Sequence, residues 1–555
     1  MKKRLMAGLL AVCMTASMVG CGSVRNGETK YLSYDDAKTE LTSLLKKVDV
    51  STVSNPSMYI YEDEISEADM LADIDTFPIT VQGNGQIDIE IAAATEMSAD
   101  APDDWMNIVA KNFNQERYEV DGKTVSVSVR KITSGEVVTY INSGGYRPNL
   151  YVPSNAAWGE MLKASSISVD TLSDRIAGNT AGILIKKDVY DTFVDKYGEV
   201  TVKSVLEASN AGDIKFAYTN PYTSSTGLNI LTAMLAAFDE QNPLSDTATG
   251  KLMEYQKTSP PVAYTTSVLR NQAAKGIINA MVMERQAYIN TPELKNYVYV
   301  PAGIRHDHPV YGFDWNSKEE QEAAKLFVEY CLNEKSQKLA ADKGFNQDED
   351  YMGQDTGMSG ADYLAAQKVW KQNKNGGKPI IAVFVADVSG SMDGEPINSL
   401  KDSLIKTTSF ISSDYYVGLV SYSNDVTINL PIGQFDPLQR ACFAGEVDNL
   451  VANGGTATYD AVLVGLDMLA KASEEVPDAK LMLFVLTDGD TNQGYMLDRV
   501  TNVIGGMQVP IYSIAYNYNN TADLEKLSNI NEAAFIKADS DDIINQLRNL
   551  FNVQM

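Results

Sequence analysis

Ile380-Ile381-Ala382-Val383-Phe384-Val385-Ala386-Asp387-Val388-Ser389-Gly390-Ser391 is the stretch on which the reading of this chain turns. Its first part is apolar without alternation. A strand with one wet face would alternate, so this run predicts a strand covered on both faces, in a parallel sheet. The run then stops at a carboxylate, two hydroxyls and a glycine, which is turn chemistry. Similar apolar runs recur at 417–420, 481–486 and 509–515, with helical stretches between them such as 461–472. Ile543, Ile544, Leu547 and Leu550 predict a closing helix over 541–551. Strands alternating with helices give a doubly wound α/β sheet. In such a sheet the C-terminal ends of all parallel strands share one edge. Asp387-Val388-Ser389-Gly390-Ser391 and Thr487-Asp488-Gly489-Asp490 therefore meet there, and Gly454-Gly455-Thr456 lies between them in sequence. Asp387, Ser389, Ser391, Thr456 and Asp488 supply two carboxylates and three hydroxyls. These are hard oxygen donors suited to Mg²⁺, Mn²⁺ or Ca²⁺. A lone Asp-x-Ser-x-Ser has a plainer reading as a turn that caps the next helix. The ordered conjunction of fragments, each after the right element, argues for a metal site. Asp393 and Asp490 read as a solvated rim.

Upstream, residues 371–378 are polar and carry Gly376 and Gly377, and read as a linker. Before it, from 85 to 370, a second βα rhythm runs. Strands are predicted at 87–92, 125–129, 150–152, 182–185, 214–218 and 297–300, with helices at 104–113, 135–142 and 230–238. Hydroxyl and amide residues fall at the strand-to-helix turns: Thr95, Ser134, Ser154, Asn155, Ser225 and Thr226. Hydroxyls and free backbone N–H groups at helix starts can hold an anion, although each can also simply cap its own helix. His306 and His308 are the only two histidines, too few for a His-based zinc site, and read as a loop leading into a strand.

The chain has 555 residues, enough for several cores, and a net charge of −27, which repels nucleic acid and attracts cations and basic partners. Lys2, Lys3 and Arg4 precede a short apolar run that ends in Met18-Val19-Gly20-Cys21. The run is too short to span a bilayer and reads as an export signal over 1–20. Cys331 and Cys442 lie far apart and read as two separate buried cysteines. Residues 21–84 read as a tether and small accessory segment, with a helix predicted at 33–48, N-capped by Ser33 and carrying Ala37, Leu41, Leu44 and Leu45 on one side.

Three resemblances follow. The basic, apolar, small-residue, Cys order resembles the lipobox of bacterial lipoproteins, which implies lipidation of Cys21. Residues 379–555 resemble the von Willebrand factor A (VWA) domain with its metal-ion-dependent adhesion site. Asp387, Ser389 and Ser391 match its DxSxS motif, Thr456 its loop threonine and Asp488 its distal aspartate. In that family an acidic residue of a partner protein often completes the metal shell. Residues 85–370 resemble bacterial extracellular solute-binding proteins of the two-lobed periplasmic type. Thr219-Asn220-Pro221-Tyr222-Thr223-Ser224-Ser225-Thr226-Gly227-Leu228 and Asn279-Ala280-Met281-Val282-Met283-Glu284 carry most of this likeness, which puts Glu284 with the cleft residues.

These readings imply a surface lipoprotein on the extracellular face of the bacterial cytoplasmic membrane, anchored through Cys21. It would bind a partner protein through a divalent metal, with a cleft for a small solute or anion between two α/β lobes. The chain is expected to cross between lobes near 178–182 and again near 297–301. A rival reading is the substrate-binding component of a membrane transport system, with the VWA domain as docking module. An enzyme is disfavoured, because no nucleophile–base pair appears among the motifs.

Overall fold

The computed structural model describes residues 31–59, 71, 73–258, 260–263, 266–274, 278–354, 356–516, 521–531, 535–538, 547 and 550. The export signal, Cys21 and nearly all of the expected helix at 541–551 lie outside them. The described chain opens with helix α1 (Tyr34–Leu45), whose first turn is capped by the Ser33 side chain accepting from the Asp36 N–H. Strand β1 (Val50–Thr52) follows.

Two α/β lobes come next. The first holds a sheet in the order Ile79–Val81, Lys123–Lys131, Ile87–Ala93, Leu150–Val152, Val310–Phe313, Val169–Ser173. The second holds Val262–Ala263, Phe216–Thr219, Ala280–Glu284, Thr180–Lys186, Tyr297–Arg305. The first crossing between lobes is complete by Asn179, because Thr180 already starts a second-lobe strand. The second crossing lies later than expected. Residues 297–301 stay in the second lobe, since their strand continues past an irregularity to Arg305. The chain then crosses through His306-Asp307-His308-Pro309.

Helix α2 (Gly360–Asn373) straps the two lobes together. Gly360 seats on the Glu160 backbone of the first lobe, where an added Cβ would lie 2.0 Å from the carbonyl oxygen. At its other end Trp370 is fully buried in the second-lobe core and its Nε1–H donates to the Tyr218 hydroxyl at 2.8 Å. The expected linker is thus mostly structured. Residues 371–373 complete α2, Lys374 and Asn375 are buried, and the Asn375 amide donates to the Tyr415 hydroxyl at 2.9 Å.

The C-terminal domain then builds β2 (Ile380–Asp387), α3 (Glu395–Thr407), β3 (Tyr416–Tyr422), β4 (Val426–Gln434), α4 (Pro437–Asp448), α5 (Thr458–Glu475), β5 (Lys480–Thr487), α6 (Leu497–Met507), β6 (Ile511–Tyr516), α7 (Ala522–Ile530) and β7 (Phe535–Ala538). The sheet order is β1-β4-β3-β2-β5-β6-β7. Every residue of β2 is buried, and its two faces feed two cores. Ile380, Ala382, Phe384 and Ala386 pack with Leu400, Leu404 and Phe443 of α3 and α4. Ile381, Val383 and Val385 pack with Val462, Leu466 and Val500 of α5 and α6. This double cover is why the stretch reads as unbroken hydrophobe. β4 runs antiparallel to β3, and β1 closes the edge beside it in parallel pairing. Residues 31–59, read from sequence as an accessory segment, are therefore part of the C-terminal domain. The solute-binding-like lobes are inserted between two parts of it.

Candidate functional site

The strand-end edge of the C-terminal sheet gathers the expected residues. β2 ends on Asp387 and β5 on Thr487, with Asp488 immediately beyond. The Asp387 carboxylate accepts from the Ser389 N–H at 2.8 Å and from the Thr487 hydroxyl at 2.6 Å. Ser389 and Ser391 share a hydroxyl–hydroxyl bond of 3.1 Å, and the Ser391 hydroxyl donates to Asp488 at 2.7 Å. One chain of hydrogen bonds thus runs from Asp387 through Ser389 and Ser391 to Asp488. Asp387 and Ser389 are buried, while Ser391 is exposed. The floor is closed and the rim opens to solvent.

The loop bearing Thr456 is tied to the same edge. The Asn453 N–H donates to the Val388 carbonyl at 2.7 Å and the Gly390 N–H to the Gly454 carbonyl at 3.0 Å. Gly454 sits at φ +77°, a left-handed conformation that favours glycine. Gly455 has no room for a side chain, since a Cβ there would fall within 3 Å of Gln493, Asn492 and Asn424.

Burial is the main influence on Asp387 and lifts its carboxyl to about 6, with the Asp488 charge acting in the same direction. Asp488 is also raised, chiefly by burial. Among the described residues, no basic side chain is a leading influence on either. Two carboxylates with two serine hydroxyls between them, and the Thr456 loop tied to the same edge, are the donor set of a hard divalent ion. The residues present fit such an ion.

Thr487 as a partner of Asp387, and Asn424 and Asn492 as supports of the Thr456 loop, were not singled out from sequence. The Gly455 N–H donates to the Asn424 side-chain oxygen at 2.8 Å and the Thr456 N–H to that of Asn492 at 2.9 Å. Two asparagines in polar loops carry no periodicity that would mark them.

The residues expected at the inter-lobe cleft also converge, but onto one another. The Trp158 indole N–H donates to the Ser225 hydroxyl at 2.8 Å, that hydroxyl to Ser134 at 3.1 Å, and Ser134 meets Ser154 at 3.4 Å. Thr226 donates to the Glu284 carboxylate. Thr95 opens a short helix at the first-lobe edge and is only partly buried. The void beside Thr226 and Asn229 is no larger than about one water molecule. The lobes are closed on each other.

Both histidines are fully buried in the second crossing. The Asn229 amide is oriented by the Ile304 N–H, which donates to its oxygen at 2.8 Å, and the Asn155 oxygen accepts from the Ala157 N–H at 3.2 Å. Both NH₂ groups therefore point at His306 Nε2, at 3.2 and 3.3 Å, so this nitrogen is the acceptor and the proton sits on Nδ1. That Nδ1 faces Glu284 across 3.7 Å. Burial holds His306 down at about 3 and raises Glu284 to about 7, the latter helped by the Glu96 charge. His308 binds the Ala177 carbonyl of the first crossing through Nδ1 at 2.8 Å and Glu96 through Nε2 at 3.1 Å. It pins the two crossings together.

Cys331 is buried and Cys442 half-buried, and both are free thiols. Among the described residues no helix is long and apolar enough to cross a membrane.

Comparison with known proteins agrees with this architecture. Residues 94–346 match the family described as bacterial extracellular solute-binding protein, and residues 382–550 match the von Willebrand factor type A domain. Among curated proteins, bovine (Bos taurus) inter-alpha-trypsin inhibitor heavy chain H3 is 35% identical over 183 residues, covering 30% of this chain and 20% of that protein. Human heavy chain H1 is 29% identical over 203 residues, covering 33% and 20%. The chain thus spans about a fifth of the length of the curated relatives it matches. Among solved structures, iron-bound HitA from Pseudomonas aeruginosa is 14% identical, with a TM-score of 0.38 over 52% of this chain and 99% of that one. A von Willebrand factor type A structure from Catenulispora acidiphila is 19% identical, with a TM-score of 0.30 over 32% and 42%.

Proposed function

From a chain that carries a bacterial extracellular solute-binding domain and a VWA domain, we propose that the working activity is non-catalytic, metal-dependent capture of a partner protein at the strand-end edge of the C-terminal sheet. Asp387, Ser389, Ser391, Thr456 and Asp488 would hold Mg²⁺ or a similar ion, which would supply an electrophilic centre for an acidic side chain of the partner. The observation that carries this reading is the buried Asp387 carboxylate, linked by hydrogen bonds through Ser389 and Ser391 to Asp488; among the described residues, no basic group is a leading influence on either acid. The solute-binding domain fits an extracellular location. Attachment there would be through lipid on Cys21, and mass spectrometry of the mature N-terminus checks this: a peptide starting anywhere but at a diacylated Cys21 overturns it.

Calorimetric titration of the full chain tests the metal site. Wild type is expected to bind Mg²⁺ and Mn²⁺. Asp387→Ala is expected to fold, because removing one of two repelling carboxylates costs the metal-free protein little, and to lose at least about tenfold in affinity. Capture of surface proteins by the wild type is expected to fail in EDTA. Equal binding by both forms, or by neither at millimolar metal, sinks the reading.

A further inference from the structure

Residues 31–59 embrace the C-terminal domain from one face to the other. α1 buries Ala37, Leu41 and Leu44 against the α5–α6 side of the core. Glu40 pairs with Arg499 of α6 at 2.9 Å and Lys38 with Glu474 of α5 at 2.5 Å. β1 then lines the sheet edge against β4. Beyond it, the Ser57 N–H donates to the Glu446 side chain of α4 at 2.7 Å and the Tyr59 N–H to the Ala441 carbonyl at 2.9 Å. α4 lies on the opposite face of the sheet.

One end of this clasp touches the loop that holds Thr456. The Tyr495 hydroxyl donates to the Leu44 carbonyl in the last turn of α1 at 3.2 Å. The Tyr495 N–H donates to Asp460 in the first turn of α5 at 2.8 Å. Three residues back, Asn492 accepts from the Thr456 N–H at 2.9 Å, while the Asn492 and Gln493 N–H groups donate to the Thr456 carbonyl at 3.0 and 3.2 Å. Both backbone groups of Thr456 are thus held by a loop whose far end is held by α1. Among the described residues, the Tyr495–Leu44 bond is the hydrogen bond that links the N-terminal helix to the rim of the site.

Building on the metal-site reading above, we propose that residues 31–59 act as an intramolecular clasp that sets the Thr456 loop, with Asn492 and Tyr495 as its positioning residues. Docking of α1 and loading of the site are then coupled. Coupling is reciprocal: if a docked α1 favours the loaded site by some factor, the metal must favour the docked α1 by the same factor. The clasp sits at the N-terminal end of the chain and the loop near its C-terminal end. Disturbance of the N-terminal segment therefore reaches the site without passing through the solute-binding lobes.

Hydrogen exchange of the full chain, with and without saturating Mg²⁺, tests this. Mg²⁺ is expected to slow exchange at Gly455 and Thr456 and also along α1. Tyr495→Phe keeps the ring and removes one neutral hydrogen bond, so the response of α1 to Mg²⁺ should shrink by about 2- to 10-fold. Arg499→Ala loosens α1 elsewhere and should leave that response in place. In metal-free protein Asn492→Ala should speed exchange of the Thr456 amide about tenfold, and Asn492→Asp, which keeps an acceptor oxygen, should restore it. Protection of 453–456 by Mg²⁺ with no change in α1 overturns the clasp and leaves the metal site standing. No protection by Mg²⁺ anywhere overturns the metal site itself.

Discussion

Asp387 shows how a single buried carboxyl makes stability depend on pH. It ends the most buried strand of the sheet, and its carboxyl is lifted to about 6 from an ordinary 3.8, first by burial and then by Asp488. For a carboxyl whose folded value lies above its unfolded value, the folded state holds the proton more tightly. Its stability contribution is therefore full below pH 3.8 and is lost as pH rises through about 6. Across that window the metal-free protein should lose roughly 3 kcal/mol on account of this group. Asp387→Asn is expected to remove that loss. Chemical denaturation in EDTA should show the variant more stable than wild type near pH 7 and the two equal near pH 3.5. A variant less stable than wild type at pH 7 would mean that Asp387 is already compensated within the protein. The residues gathered at this edge were legible in sequence because their order and spacing follow strand ends. Thr487 was not, because a threonine closing a strand reads equally well as β-propensity. Asn492 was not, because its role depends on a loop fold that no local pattern encodes.

At the scale of elements, legibility followed burial. β2 and β5 are covered on both faces, so their sequences are unbroken hydrophobe and stand out. β4 mixes buried, half-buried and exposed positions, turns back antiparallel, and was not foreseen. β1 is three residues long with every residue exposed, so no periodicity announces it. Its place comes from backbone pairing with Val426, Thr427 and Ile428 and from one hydroxyl–hydroxyl bond between Ser51 and Thr427 at 3.0 Å. α2 was partly read as a linker because its C-terminal end is rich in Lys, Asn and Gln. Tertiary packing decides the matter there: Trp370 is anchored between Tyr218 and Tyr222, and the polar residues around it complete the helix. The second crossing between lobes came later than expected for a similar reason. Pro301 suggests the end of a strand, yet the backbone resumes pairing at Arg305 with Thr180. The hydroxyls at the lobe turns were correctly placed at helix starts. Their mutual hydrogen bonds across the lobes depend on closure, which sequence does not show.

The path of the whole chain sets what the C-terminal domain needs in order to fold. Among the described residues, the domain takes in 31–59, gives way to the two lobes, and resumes from 379. The von Willebrand factor type A model matches it over 382–550, while a helix and an edge strand of the same sheet domain come from the far side of the insertion. Leu41 and Leu44 are 1% and 4% exposed, and each fully buried leucine contributes about 1.5–3 kcal/mol. With Ala37 and the edge pairing of β1, the segment contributes several kcal/mol, a large share of the ~5–15 kcal/mol that holds a typical domain. Its loss also bares β4 as an unpaired edge, which invites association. A chain beginning at residue 60 is therefore expected to keep the unfolding transition of the strapped lobes, since α2, Trp370 and the inter-lobe bonds are untouched. Its C-terminal transition should fall by roughly 10 °C, at about 2–4 °C per kcal/mol for a domain of this size. Scanning calorimetry of the two chains in EDTA reads both transitions. If the C-terminal transition stays where it is, residues 31–59 merely lie on the domain. If it falls while the lobes hold, the domain is built from segments on both sides of the lobes, and an isolated 379–555 fragment is the wrong object in which to test the proposed metal site.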